Sequence, residues 1–308
     1  MRLRPIFAAF SAFALFCDAP NTGSQTATPY SMKVDVDEVE LTLHATDAQG
    51  LPVNNLRSDE LTLLDNEHPP RRIVAFQSLR DLPIRAGILI DTSSSMEQTR
   101  PADQAIALAY AQRILEQKTD QAFVMSFGRR YQMRQSWSSD PVTLASAIRQ
   151  VNISPSTTTI FDAIYATCRY QFGKLPHDTS GNFILLFSDG EDDASYLPLQ
   201  TAADMCQKTN TAIYVFRADA PSGSFSSGLG ILSQLATLTG GRVFRDSASP
   251  SEIEEDLRII QANLRNQYRL IYNPAEMKHD GAFHRIVILS PDRVATVNVR
   301  SGYYAPAH

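Results

Sequence analysis

The chain has 308 residues, 43% of them hydrophobic and 20% charged, with 28 basic against 33 acidic side chains and a net charge of -5. Such a composition supplies one large or two modest cores and excludes a wholly disordered or fibrous chain. No Lys/Arg-rich run occurs beyond the extreme N-terminus, which argues against nucleic acid as a partner.

Met1 to Phe16 sets Arg2 and Arg4 ahead of an uncharged apolar run from Pro5, the pattern of a secretory leader and too short to span a bilayer. The expectation is an exported protein, periplasmic, envelope-bound or extracellular, with a signal peptide over residues 1–19 and a polar linker over 20–32. Ala12 and Ala14 offer small residues for cleavage. A lipid anchor at Cys17 is the rival reading, on a poor acceptor sequence, because Phe16 is bulky where a small residue is wanted. Cys168 and Cys206 both fall in helical patterns, and sequence leaves a disulfide and two buried thiols equally open, since geometry controls bridging.

Residues 33–80 read as a small β region. Val34 and Val36, then Val39, Leu41 and Leu43 in the opposite phase, suggest strands with a slip near Glu38. Leu61 to Leu64 and Ile73 to Phe76 read as two more strands, and so few short strands bury little by themselves.

At Ile84 the pattern changes. Strands expected at Ile84 to Ile90, Ala122 to Phe127, Phe183 to Phe187, Ala212 to Phe216 and Arg242 to Phe244 alternate with helical stretches, and Tyr131 to Trp137 reads as an antiparallel edge. The helices are expected at Pro101 to Gln117, Val142 to Gln150, Ile160 to Phe172, Leu199 to Thr209, Leu229 to Thr239 and Ser251 to Asn266. Ile106, Ala109, Tyr110 and Arg113 illustrate the period of the first, an apolar stripe turned to the sheet and a polar back. This is a doubly wound α/β fold with a mostly parallel sheet, Rossmann-like, over residues 83–266, and such sheets hold ligands beyond the carboxyl ends of their strands. Over 267–308, Tyr268 to Tyr272, His284 to Leu289 and Ala295 to Val299 read as strands again. Their natural partners are the strands of 33–80, so the α/β domain is expected to be inserted into a small β-sandwich made from both ends of the chain.

Three loops carry the informative side chains. Asp91, Ser93 and Ser95 follow the first apolar strand; Ser156-Thr157-Thr158-Thr159 precedes the helix at Ile160; Ser188-Asp189-Gly190-Glu191-Asp192-Asp193 follows the strand ending at Phe187. Neutral hydroxyls with few carboxylates, and no Cys or His, suit a hard divalent ion: Mg²⁺ first, with Ca²⁺ and Mn²⁺ as alternatives. Taken singly, Asp91 with Ser93 reads better as a helix cap, and the three loops together reverse that preference. Asp162, in the first turn of its helix, reads as structural, and Glu191 to Asp193 as a solvated loop, with a role for one of them in orienting a ligand as the alternative.

The ordered set Asp91-x-Ser93-x-Ser95, Thr158-x-Ile-Phe-Asp-Ala and Ser188-Asp189-Gly190 resembles the metal-ion-dependent adhesion site of the von Willebrand factor type A family. The flanks Tyr268 to Tyr272 and Arg300 to Pro306 are similar to a bacterial, largely acidobacterial, group of such proteins. The resemblance implies that Asp91, Ser93, Ser95, Thr158 and Asp189 hold the ion, and that a protein partner offers it an Asp or Glu. Ser94 and Ser156-Thr157 stand where the family often has the conformationally freer glycine.

The function expected is a non-enzymatic, cation-dependent protein-binding module of adhesion type. The alternatives are a metal- or serine-dependent hydrolase and a scaffold with a non-functional ion site. No Gly-x-Ser-x-Gly elbow or phosphate-cradling glycine loop supports hydrolysis, and the six histidines are scattered. Trp137, Phe127 and Tyr131 read as core or edge residues, and Pro221 to Gly230 as a surface loop.

Overall fold

The change of pattern at Ile84 marks the point where the chain leaves one sheet and begins another. The computed structural model describes residues 38–306 apart from 50, 81, 116, 155, 176–180, 218–226, 246–249 and 277–278. The leader, the linker, Cys17, Val34 and Val36 therefore lie outside the described residues. The chain begins with strands β1 (Val39–Thr46), β2 (Thr62–Asp65) and β3 (Arg72–Ser78). Next come β4 (Ile84–Asp91), α1 (Arg100–Ile114), β5 (Gln121–Phe127), β6 (Gln132–Ser138), α2 (Pro141–Arg149) and α3 (Ile160–Tyr170). Then follow β7 (Gly181–Phe187), α4 (Leu199–Lys208), β8 (Thr211–Arg217), α5 (Ser227–Thr239), β9 (Val243–Arg245) and α6 (Pro250–Arg265). The remaining strands are β10 (Gln267–Asn273), β11 (Phe283–Leu289), β12 (Thr296–Val299) and β13 (Gly302–Tyr304).

The central sheet has the order β6-β5-β4-β7-β8-β9, parallel throughout except for β6, which pairs antiparallel with β5 at the edge as expected. Its strands are apolar on both faces because both faces are covered. Along β4, Ile84, Ala86, Ile88 and Ile90 enter one core with Ile106, Tyr110, Leu144, Ile148 and Ile260 from α1, α2 and α6. Leu89 points the other way, into a second core with Ile160 and Ile164 of α3, Ala202 of α4 and Leu232 of α5. Each fully buried Leu, Ile or Phe contributes about 1.5–3 kcal/mol of transfer free energy, so the two layers dominate stability. Gly87 interrupts the apolar run for a reason of space: a Cβ there would lie 2.6 Å from Cζ of its cross-strand neighbour Phe123.

On α1 the buried stripe is Ile106, Ala107, Tyr110 and Ala111. Arg113, on the polar back, is exposed and pairs with Glu254 of α6. Helix α5 begins at Ser227, so the end of the stretch expected as a surface loop is helical, and 221–226 lie outside the described residues. A glycine hid that start: Gly228 sits where a Cβ would fall 2.3 Å from the Asp189 carbonyl oxygen.

The outer strands form two antiparallel sheets, β12-β1-β10-β3 and β13-β11-β2, each drawing on both ends of the chain. Leu41 opposes Leu270 and Leu63 opposes Ile288 in these ladders. Leu41, Leu43, Leu63, Tyr268, Leu270 and Ile286 share one apolar core, which is the expected sandwich. Strand β13 was not legible in the sequence. Its first residue, Gly302, lies so close to β11 that a Cβ would come 2.1 Å from the His284 carbonyl oxygen. Inside this core the Asp65 carboxylate accepts hydrogen bonds from the Tyr272 and Tyr303 hydroxyls, both at 2.8 Å, and lies 2.9 Å from His284 Nδ1.

The α/β domain leaves and rejoins the sandwich at one place. The Leu79 N–H donates to the Gln267 carbonyl at 2.8 Å. Beside it, the buried Asp120 carboxylate accepts the N–H of Ile84 at 2.9 Å and of Gln117 at 2.8 Å and pairs with Arg265 at the end of α6. Burial opposes the charge on Asp120, and Arg265 with the two N–H groups outweighs it, holding the carboxyl below its ordinary range. Cys168 of α3 and Cys206 of α4 are joined as a disulfide, which settles the alternative that sequence left open. Among the described residues no helix is long and apolar enough to cross a membrane.

Candidate metal centre

Strands β4 and β7 are parallel neighbours at the centre of the sheet, and the chain turns outward from β4 to β5 on one side and later to β7 on the other. That is a topological switch point, where loops splay and leave a crevice. Asp91 ends β4 there, with 2% of its surface exposed. Its Oδ1 accepts the Ser93 N–H at 2.8 Å, a local turn that aims the carboxylate, and its Oδ2 accepts the Ser188 hydroxyl at 2.8 Å from the loop after β7. Burial pushes the Asp91 carboxyl up to about 6, against the Ser93 and Ser188 hydrogen bonds and with the help of the negative charge on Asp189. No Lys, Arg or His among the described residues forms an ion pair with it.

Buried Ser93 and exposed Ser95 bring their Oγ atoms to 3.1 Å. Met96, almost fully buried, anchors the turn beneath them. Thr92 then stitches the first loop to the rest: its N–H and Oγ1–H donate to the Phe127 carbonyl at 2.7 and 2.8 Å, and its own carbonyl accepts the Ser154 N–H at 2.9 Å. That bond draws the second loop towards the first. Thr159 fixes the far side of the second loop, its N–H and Oγ1–H reaching the Gly128 carbonyl at 3.0 and 2.8 Å.

Between those anchors Thr158 is buried and clamped by the third loop. Its N–H donates to Asp193 Oδ1 at 2.6 Å, and its carbonyl accepts the N–H groups of Asp193 and Ala194. Asp192 Oδ2 and Ser195 Oγ both accept the Phe161 N–H, supplying a first-turn donor of α3 with partners from another segment. Asp162 accepts the N–H groups of Tyr196 and Leu197 at 3.1 and 3.0 Å. Within the acidic run Glu191 and Asp193 are exposed, as expected of a solvated loop, and Asp192 is half-buried. Asp192 and Asp193 tie the third loop to the second, and the charge of Asp162 serves that same seam rather than the helix end alone.

Asp189 is half-buried; its Oδ1 accepts the Glu191 N–H at 3.1 Å. Gly190 follows with φ +85, and a Cβ on it would lie 2.5 Å from the Gly228 carbonyl oxygen, so α5 presses directly on the loop. By contrast Ser94, Ser156 and Thr157 are absent from the non-glycine residues with positive φ, so they stand in place of glycine without strain. The Ser156 Oγ accepts the Arg129 N–H at 3.3 Å.

The structure therefore brings all three loops bearing Asp91, Ser93, Ser95, Thr158 and Asp189 to one end of β4 and β7. Ser188 contributes a bond to Asp91 that the sequence reading did not assign, and Asp193 takes up the supporting role that reading left open for one acid of the run. The available signal for Ser188 was its place as the first polar residue after an entirely apolar strand. No group of three His, Cys, Asp or Glu side chains assembles a metal site among the described residues. The donor set is hydroxyls around two carboxylates, one buried without a basic counter-charge, and this fits a hard, oxygen-seeking divalent cation.

A doubly wound sheet with this hydroxyl and carboxylate cluster at its switch point defines a von Willebrand factor type A fold. Residues 87–191 match the profile of the von Willebrand factor type A domain. No curated protein sequence matches the chain. Among solved structures it is similar to the conserved hypothetical protein BatB from Bacteroides thetaiotaomicron, at 17% identity and a TM-score of 0.47, over 57% of this chain and 97% of that one. It is also similar to the vWF domain of the type V pili tip protein Mfa5 from Porphyromonas gingivalis, at 12% identity and a TM-score of 0.44, over 59% and 96% of the two chains. A third likeness is to proximal thread matrix protein 1 from the mussel byssus with a zinc-occupied MIDAS motif, at 16% identity and a TM-score of 0.48, over 66% of this chain and 50% of that one.

Proposed function

We propose that the chain is an exported, non-enzymatic module that binds a partner protein through a divalent cation, Mg²⁺ by preference, held by Asp91, Ser93, Ser95, Thr158 and Asp189. The observation that carries this reading is Asp91: a carboxylate almost wholly buried at the switch point, hydrogen-bonded by Ser93 and Ser188, beside a second carboxylate and with no basic partner among the described residues. A buried charge left in this state is costly, and a cation relieves it. With two carboxylates around it, a bound ion retains an exchangeable position that an Asp or Glu of the partner fills.

Export is supported by the leader-like N-terminus and by the Cys168–Cys206 disulfide, which suits an oxidising compartment. Hydrolysis at Ser93 would need a base, and the described histidines, His44, His68, His279 and His284, all belong to the sandwich segments of the chain. Titration calorimetry with Mg²⁺ on the full chain and on Asp91→Ala tests the assignment. The wild type is expected to bind and the variant, still unfolding cooperatively, to show no heat; equal affinity in both would overturn it.

A further inference from the structure

The turn that joins β5 to β6 is fastened to the loop of Thr158, through Gly128 and Thr159 and through Arg129 and Ser156. Arg129 and Arg130 on this turn are exposed, and no ion pair among the described residues uses either of them. They line an open cleft of about 1030 Å³ whose floor includes Thr157 and Thr159, the two neighbours of Thr158. Tyr131 and Tyr196 line it too, 45% and 96% exposed. The Tyr196 backbone is held by Asp162, whose Oδ2 accepts its N–H at 3.1 Å. Asp162 is the one carboxylate lining the cleft among the described residues, and both its oxygens are engaged by backbone N–H groups, so two arginines line the cleft against a single, already occupied acid.

We propose that this cleft receives a second carboxylate from the same partner segment whose first carboxylate reaches the cation, so that the partner is an acidic stretch of polypeptide rather than a lone Asp or Glu. The inference rests on the cation-dependent reading above. Guanidinium forks match carboxylates with two parallel hydrogen bonds, and exposed tyrosines supply flat, amphipathic walls that displace water and strengthen the pairing. Rim charges of this kind act on association rate and salt dependence as well as on affinity.

Two short fluorescent peptides probe it by anisotropy on the full chain in Mg²⁺: one has a single Asp among Gly and Ser, the other four consecutive acidic residues in the same background. The wild type is expected to prefer the acidic run by about tenfold at low salt, and the preference to shrink at high salt. Arg129→Glu combined with Arg130→Glu should abolish that preference while leaving single-Asp binding and calorimetric Mg²⁺ affinity intact. A preference that survives the charge reversal overturns the inference and leaves the cation site standing, as does failure of the acidic peptide to bind while Mg²⁺ binds. Peptide binding that persists in EDTA or in Asp91→Ala overturns the cation reading itself.

Discussion

Asp120 is the sharpest test of how the inserted domain is held. The carboxylate is fully buried and accepts two backbone N–H groups, from Ile84 at the start of β4 and Gln117, while pairing with Arg265 at the end of α6. Replacing it with Ala removes an acceptor for two buried N–H groups and leaves Arg265, only 11% exposed, without this carboxylate. Breaking a buried pair from one side costs about 3–5 kcal/mol, and Asp120→Ala is expected in that range. Asp120→Asn keeps one oxygen for the Ile84 N–H, and about 2–3 kcal/mol is expected. Removing both partners, as Asp120→Leu with Arg265→Leu, should destabilise by clearly less than the sum of the single changes, because no charge is then stranded. Urea unfolding followed by circular dichroism, with m-values compared, measures all of these. A loss under about 1 kcal/mol for Asp120→Ala, or strict additivity in the double variant, would refute the reasoning. Because the carboxyl is depressed in the fold, its contribution is present above its unfolded value near 3.8 and is lost as pH falls through the lower folded value.

Gly190→Ala forces a Cβ against the Gly228 carbonyl at a left-handed φ, and about 2–4 kcal/mol of destabilisation is expected together with weaker Mg²⁺ binding through displaced Asp189; thermal melts and calorimetry check both, and wild-type values in each would contradict the packing described. His44, buried near Arg242, has its pKa lowered to about 4, chiefly by desolvation. The unfolded chain therefore takes the proton first on acidification, and roughly 3 kcal/mol is lost between pH 6.5 and 4. His44→Gln should flatten that part of the pH–stability curve relative to wild type, and parallel curves would exclude it. Reduction of Cys168–Cys206, whose partners are 38 residues apart, should lower stability by about 4 kcal/mol on the loop-entropy estimate; an unchanged denaturation midpoint in reductant would contradict it.

Sequence resolved the layered α/β core because its signals are local: apolar runs of strand length, helical stripes and turn residues between them. The order of three oxygen-rich loops was equally visible, since each follows or precedes an element with a clear period. What escaped depended on distance in the chain. Asp65, His284, Tyr272 and Tyr303 read as separate polar residues in separate strands, and only the pairing of β2 with β11 and β11 with β13 gathers them. Asp193 looked like surface charge because its partner, the Thr158 N–H, lies 35 positions away. Gly228 and Gly302 masked a helix start and a strand, since a glycine admitted for close approach weakens the very periodicity that identifies an element. Cysteine spacing carried no geometry, and the bridge between α3 and α4 became visible only when the helices were side by side.

The adjacency of Leu79 and Gln267 has a mechanical consequence. A load applied to the α/β domain enters the sandwich through β3 and β10 from the same end. An opposing load applied to the chain before Val39 would pull β1 from its far end, where Val39 lies opposite Tyr272, while Gln267 opposite His44 takes the other. Force therefore runs lengthwise along the antiparallel β1/β10 ladder. Its hydrogen bonds are sheared together instead of being unzipped one after another, which is the geometry that resists rupture best.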